Sequence, residues 1–224
     1  KTTSKVLFVL PSNSYIAYSN DNLATNSVVA ELLAGKVPVM SAADLYLNEH
    51  REYGLSTYSL HSDGSGVCYS SRLRPILNMR PKYRHWLSPS LWQLNADLHL
   101  TDWLEEKNID FDVMTDEDLH VEGVDLLNRY QVVLTGSHPE YSSEKMLAAY
   151  ESYQLNGGRW IYLGADGFYW ISEYHPDNLN IIEVRKGEAG TRAWTANPGE
   201  YNNAFDGKFG GMWRARGRIP SKVC

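Results

Sequence analysis

"QVVLTGSHPEYSS" (residues 131–143) is a short apolar run that breaks at Thr-Gly and turns a polar corner. A continuous apolar run of this length, with no polar alternation, suits a strand covered on both faces. The corner after such a strand is where an α/β protein places its reactive groups. This one holds His138, Pro139 and Glu140. It has no serine or cysteine framed by glycines, as a covalent nucleophile at such a turn requires. Ser137 and Glu140 also fit the S-x-x-E capping box, and proline is common in a first helical turn. Glu140 therefore carries two readings at this point, a helix cap or a functional carboxylate.

The same grammar extends in both directions. "KVLFVLP" (5–11) is another buried-strand run, stopped by Pro11. "NSYIAYSNDN" follows and reads as a tyrosine-bearing loop. Residues 24–34 predict a short helix. From about 35 to 90 the chain reads as irregular, rich in Gly, Ser, Pro and Arg, and so long a loop is usually functional or packed against something. "NADLHLTDWLEEKN" (95–108) predicts a helix with Asn95 as N-cap and Asn108 as its stop. "IDFDVMT" (109–115) predicts a strand, and Thr115 with Asp118 a cap for the next helix. "SEKMLAAYESYQLNGG" predicts an amphipathic helix burying Met146, Leu147, Tyr150 and Tyr153 and ending at Gly157. "RWIYLG" (159–164) predicts a fourth strand.

This alternation predicts an α/β fold with a mostly parallel sheet flanked by helices. Residues 1–180 would form the main domain, with an insertion at about 35–90, and 181–224 the start of a β- and loop-rich extension. Sites in such sheets lie beyond the carboxyl ends of the strands. That rule selects "SNSYIAYSN", "GSHPEY" and "ADGFYW" as the loops to watch.

Bulk composition narrows the function. The 224 residues carry a formal charge of −6, so nucleic acid is not an expected partner. No apolar stretch reaches the length of a membrane span, and no secretory leader is visible. Cys68 and Cys224 make neither a disulfide framework nor a zinc spacing, which fits a reducing cytoplasm. The chain begins without Met and stops on "RGRIPSKVC", which closes no element; it reads as a piece of a longer polypeptide. The basic stretch "RLRPILNMRPKYRHW" (72–86) reads as a solvated loop or subunit contact on an acidic chain. No phosphate loop is present.

The seven histidines show no H-x-x-H or H-E-x-x-H spacing. What gathers near the expected strand ends is oxygen, from Tyr15, Tyr18, Tyr58, Glu140 and Asp166. Oxygen donors suit a hard cation. A phenol titrates near 10, so it ligates as phenolate only beside a strong positive charge such as ferric iron.

Several ordered blocks then carry a resemblance. "GVCYSSRLRPILNMRP", "LNADLHLTDWLE", "DFDVMTDEDLH", "TGSHPEY", "GGRWIYLGADGFYW" and "GGMWRARGR" together resemble the large subunit of the bacterial N,N-dimethylformamidase family. The likeness runs over nearly the whole chain and corresponds to the carboxyl-terminal part of that subunit. It implies a fold like class I glutamine amidotransferases, without their cysteine. It implies a mononuclear Fe(III) and hydrolysis of a small amide by a metal-activated water. Matched to this sequence, the metal ligands would be Glu140 in "HPEY", Tyr18 in "YIAYSN" and Tyr58 in "TYSLHSDGSG". Tyr15 and Tyr53 are the neighbouring alternatives. His138 and Asp166 would handle protons. The family usually has asparagine where this chain has Asp166, and an ionised aspartate can only accept a hydrogen bond there. The resemblance also implies a small accessory subunit and pairing of such heterodimers. Two other classes remain open: a non-catalytic amidotransferase-like scaffold, and a metal hydrolase for a different substrate.

Overall fold

The computed structural model describes residues 4–25, 27–87, 90–187, 190 and 192–219; Cys224 lies outside them. In chain order the elements are β1 (Val6–Leu10), α1 (Ser12–Ala17), α2 (Ser27–Ala34), α3 (Ala42–Glu49), β2 (Tyr69–Ser71), α4 (Leu94–Glu106), β3 (Phe111–Thr115) and α5 (Asp116–Glu122). There follow α6 (Val124–Leu127), β4 (Val132–Thr135), β5 (Tyr141–Ser142), α7 (Glu144–Leu155), β6 (Arg159–Ile161), β7 (Trp170–Ile171), β8 (Glu173–His175) and β9 (Asn178–Glu183).

The main sheet is wholly parallel in the order β3-β1-β4-β6. Counted along the chain, its strands lie 2-1-3-4. β1 sits inside this sheet and buries Leu7, Phe8 and Val9 in succession. Leu7, Val9 and Val133 face one layer of helices, where Leu119, Leu126, Leu127, Met146, Leu147 and Tyr150 close the largest core. Phe8 and Leu134 face the opposite layer, against Leu104 and Leu100 of α4. Both faces are covered, which is why these strands read as unbroken apolar runs. The expected mostly parallel sheet flanked by helices is what forms.

Several boundaries differ from the sequence reading. "NSYIAYSNDN" is not a loop throughout: α1 starts directly after Pro11 and buries Tyr15, Ile16 and Ala17. The 35–90 stretch is not wholly irregular. It contains α3, opened by a Ser41–Asp44 capping box, and the strand β2. Asn95 does not cap α4. The helix starts one residue earlier with Gln93 at the N-cap at φ +53, while Asn95 bonds the backbone of Arg80 and Lys82. The Thr115–Asp118 box forms as expected, and Gly157 follows the end of α7 at φ +84.

The inserted stretch is woven into the fold. β2 pairs antiparallel with β9, which also pairs with β8. Thr57 donates through its backbone N–H and its hydroxyl to the Ala17 carbonyl, both at 3.0 Å. Arg74 bonds the carbonyls of Ser19, Tyr53 and Ser71 and the Ser70 hydroxyl. Far from being solvated, this member of the basic stretch ties the insertion to the segment that follows β1.

Candidate functional site

In a 2-1-3-4 parallel sheet the connections after the first and third strands leave in opposite directions, and a crevice opens between them. Here those strands are β1 and β4, and the crevice lies between α1 and the 136–140 corner. Gly136 has no room for a side chain: a Cβ there would lie 2.6 Å from Pro11 and 2.7 Å from Asp97. The close approach lets the Ser14 hydroxyl accept the Glu140 N–H at 3.1 Å, joining the two connections.

The Ser137–Glu140 capping box does not form. α7 begins at Glu144 with Ser143 as its cap. A short extra strand, β5, follows the corner first and pairs with β7. The Tyr169 and Trp170 N–H groups donate to the Glu140 carbonyl at 2.8 and 3.0 Å. The third connection is thereby stitched onto the second, and the Glu140 side chain is turned inward, away from any helix end.

That carboxylate is buried, and its partners are the residues singled out from sequence. Tyr18, at the end of α1, donates to Glu140 Oε2 at 2.7 Å. Tyr58 Oη lies 2.5 Å from Tyr18 Oη and 3.4 Å from Glu140 Oε1. The two rings stack with centroids 4.4 Å apart. His138 Nε2 is 3.0 Å from Glu140 Oε2 and 3.9 Å from Asp166 Oδ2. Asp166 itself is exposed, at φ +51 in the left-handed region that Asp tolerates better than most residues. Tyr15 is not part of this group: its hydroxyl is bound to Asp97. Tyr53 stacks with Tyr46 near the surface and is likewise elsewhere.

These side chains floor a cavity of about 240 Å³. Its walls are Leu23, Trp86, Leu87, Trp92 and Tyr169. Trp92 stacks on His85 and leans on His138, with centroids 4.6 and 5.0 Å away. Buried Asp21 accepts from Trp86 Nε1 at 2.9 Å and lies 3.2 Å from His85 Nε2, fixing that wall. A wider hollow of about 380 Å³ around Asn128, Gln131 and Arg159 is lined by no acid, histidine or thiol.

Burial first, and then the Glu140 charge, push the Tyr18, Tyr58 and Tyr141 phenols well above their ordinary value near 10. Burial alone would pull His138 down, but its bond to Glu140 and the charges of Glu140, Asp166 and Asp97 outweigh that and raise it. Burial lowers buried Lys186 to about 7, against the pull of Glu140. Alone, then, the phenols keep their protons. A cation among them would invert that order.

The donor set suits such a cation. Three oxygens from two phenols and one carboxylate face one another at hydrogen-bond spacing, as hard cations require. A second set shares the same carboxylate: His138, Glu140 and Asp166 offer ligand atoms all within 4.8 Å of one another.

The family model described as N,N-dimethylformamidase beta subunit-like, C-terminal, matches residues 1–224. The chain belongs to this family. The dimethylformamidase beta subunit of Paracoccus aminophilus is 47% identical over 224 residues, covering 100% of this chain and 29% of that protein. The beta subunit from Alcaligenes sp is 46% identical over 222 residues, covering 99% of this chain and again 29% of the relative. The chain thus spans 29% of the length of the dimethylformamidase subunits it matches. The likeness read from the ordered blocks is borne out.

Sequence reading missed Tyr141, Lys186, Trp92 and Asp21. Tyr141 directly follows Glu140, and its only signal was that adjacency. Lys186 sits in "VRKGE", inside the stretch beyond 180 that reads only as β- and loop-rich. No helix of the described residues is long and apolar enough to cross a membrane.

Proposed function

We propose that this chain carries the metal site of a cytoplasmic amidohydrolase. Its reaction would be hydrolysis of a small N-substituted amide, N,N-dimethylformamide or a close analogue, to an amine and formate. The ligands would be Tyr18, Tyr58 and Glu140, around one Fe(III). The observation that carries this reading is the meeting of those three oxygen donors on the floor of one aromatic pocket. When bound, the ion would supply Lewis acidity toward the substrate carbonyl and toward water.

The chain's own residues would do the rest. At about 240 Å³ the cavity is below the roughly 300–1,000 Å³ of drug-sized sites, which suits a small amide. Trp86, Trp92, Leu87 and Tyr169 would exclude water and receive the alkyl groups on nitrogen. His138, held by Glu140 and walled by Trp92, would keep a proton near neutral pH and pass it to the leaving amine. Asp166, within 3.9 Å, would steady the charged imidazole. As an acceptor-only group, Asp166 would also favour an amide that keeps an N–H.

The 2-1-3-4 order supports assigning the three-layer, class I amidotransferase-like fold, with residues 1–180 as its catalytic unit and 181–224 as the start of an extension. The relatives are named as beta subunits, which supports assembly with another subunit; a small accessory subunit and pairing of such heterodimers are part of the proposal. The test is the visible spectrum of the purified native protein, read beside its iron content. A phenolate-to-iron charge-transfer band with about one iron per chain is expected. A colourless protein that takes up no iron would overturn the reading and leave a degenerate scaffold.

A further inference from the structure

Behind the proposed ligands lie a third tyrosine and a lysine that this chemistry does not use. Lys186 is fully buried, and among the described residues its ammonium makes one hydrogen bond, to Tyr141 Oη at 2.9 Å. Its Nζ is caged by rings, 4.0 Å from the centroid of Tyr58 and 4.5 Å from that of Trp170. Tyr141 Oη is in turn 2.7 Å from Tyr58 Oη.

Counting donors gives this line a direction. As an ammonium Lys186 can only donate, so in that form Tyr141 accepts from it and must send its own hydrogen elsewhere. Tyr58 spends its hydrogen on Tyr18, and Tyr18 spends its own on Glu140. Thr57 also meets the Tyr141 hydroxyl, but that contact favours the tyrosinate and so runs toward Tyr141, which leaves Tyr58 as the acceptor of the Tyr141 hydrogen. If Tyr58 gives up its proton to hold a cation, this donation remains and strengthens, because the acceptor is then an anion. Among the described residues Tyr18 has no equivalent donor: its hydroxyl partners there are Tyr58 and Glu140.

We infer that Tyr141, held in place by Lys186, is a positioning residue that makes the two phenolates unequal, by donating a hydrogen bond to Tyr58 alone. Partners of this kind orient metal ligands and set their donor strength. The inference rests on Tyr18 and Tyr58 being ligands, as proposed above. Tyr58 would be the weaker electron donor and Tyr18 the stronger.

The test is the visible spectrum and iron content of the native protein and three variants. Tyr141→Phe removes only the hydroxyl. It should keep its iron and move the charge-transfer band to longer wavelength, because an unbonded phenolate gives up its electron more easily. Lys186→Met frees the Tyr141 hydroxyl to turn and should shift the band the same way by less. Tyr150→Phe alters an equally buried tyrosine in the main core and should leave the band where it is. An unmoved band in iron-loaded Tyr141→Phe overturns this inference and leaves the ligand reading intact. Should that variant not fold, Lys186→Met decides by the same criterion. A parent protein that binds no iron overturns both.

Discussion

Leu7 and Val9 on β1 and Val133 on β4 meet Leu126 and Leu147 in an interior built mainly of aliphatic and aromatic side chains. At the carboxyl ends of the same strands, Tyr18, His138, Glu140 and Tyr141 meet Tyr58 and Lys186, which come from elsewhere in the chain, in a site built almost wholly of polar groups. The first is shut away from water, while the second is largely buried but keeps Tyr18 and Tyr58 partly exposed to the cavity. The first gains from apolar area removed from water, at roughly 25 cal/mol per Å². The second is held by a chain of hydrogen bonds whose net contribution is about 1 kcal/mol apiece, because water would have satisfied the same groups. Stability should therefore be concentrated beneath the sheet and function at its edge, so substitutions in the two regions should separate cleanly.

The largest effect expected is at Glu140. Glu140→Ala removes the carboxylate shared by both possible ligand sets, so it should lose essentially all iron and more than about 100-fold in activity. Its melting temperature should stay close to that of the parent. Leu147→Ala should do the reverse. It opens a cavity in the main core and should cost about 2–5 kcal/mol while the surviving folded protein keeps its metal. Metal analysis beside thermal melts reads both. Full iron in Glu140→Ala, or altered stoichiometry in folded Leu147→Ala, would break the division.

Tyr18→Phe sharpens it. The variant loses one oxygen and no packing volume, and Glu140 keeps His138 as a partner. Stability should change by under about 1 kcal/mol. The charge-transfer absorption should fall, since one of its two sources is gone. An unchanged spectrum would remove Tyr18 from the ligand set and leave Tyr58 as the source of the band.

What could be read from sequence follows the same line. β1 and β4 were legible because burial on both faces makes unbroken apolar runs, and α7 because burial on one face imposes a period, with Met146, Leu147, Tyr150 and Tyr153 where that period puts them. The Ser41–Asp44 box was equally local, but it lay in a tract whose Gly and Pro content argued for loop. The corner misled in a different way. Ser137 and Glu140 satisfy a local capping rule, yet Glu140 is claimed by Tyr18 and Tyr58, which come from far along the chain. Pairings at such separation leave no period. Tyr58 stood among the candidate oxygens, and the resemblance singled it out as a ligand. Lys186 was invisible for the same reason: its cage is made by Tyr58, Tyr141 and Trp170, none of them near it in sequence.

Asp116 tests the border between the two regions. It is buried at the start of α5, where it accepts the Asn13 N–H. Burial raises its carboxyl to about 8, helped by the charge of Asp97 and opposed by that hydrogen bond. A carboxyl raised in the folded state stabilises fully below its unfolded value and less as pH climbs through the folded one. The stability of the parent should therefore decline between about pH 4 and about pH 8, by at most about 1.4 kcal/mol per pH unit from this group. Asp116→Asn cannot ionise, so its stability should be flatter over that window. Parallel curves for the two proteins would show that Asp116 is already charged in the fold.

The smallest effect expected lies at the rim of the buried face of α7. Glu151 follows Leu147 by one helical turn and meets Arg218 at 2.9 Å, with side chains 43% and 24% exposed. Two half-wet charges gain little from one another, because water screens them and both side chains lose freedom in meeting. Glu151→Ala should cost under about 1 kcal/mol, with a difference that shrinks as salt is added, and should leave iron and spectrum untouched. Leu147 and Glu151 share one helix and its intrinsic propensity, so the gap between their two costs measures what the buried face alone contributes. If Glu151→Ala proved as damaging as Leu147→Ala, α7 would be held by its tether to Arg218 as much as by its core. The apolar interior would then lose its claim to be where this molecule keeps its stability.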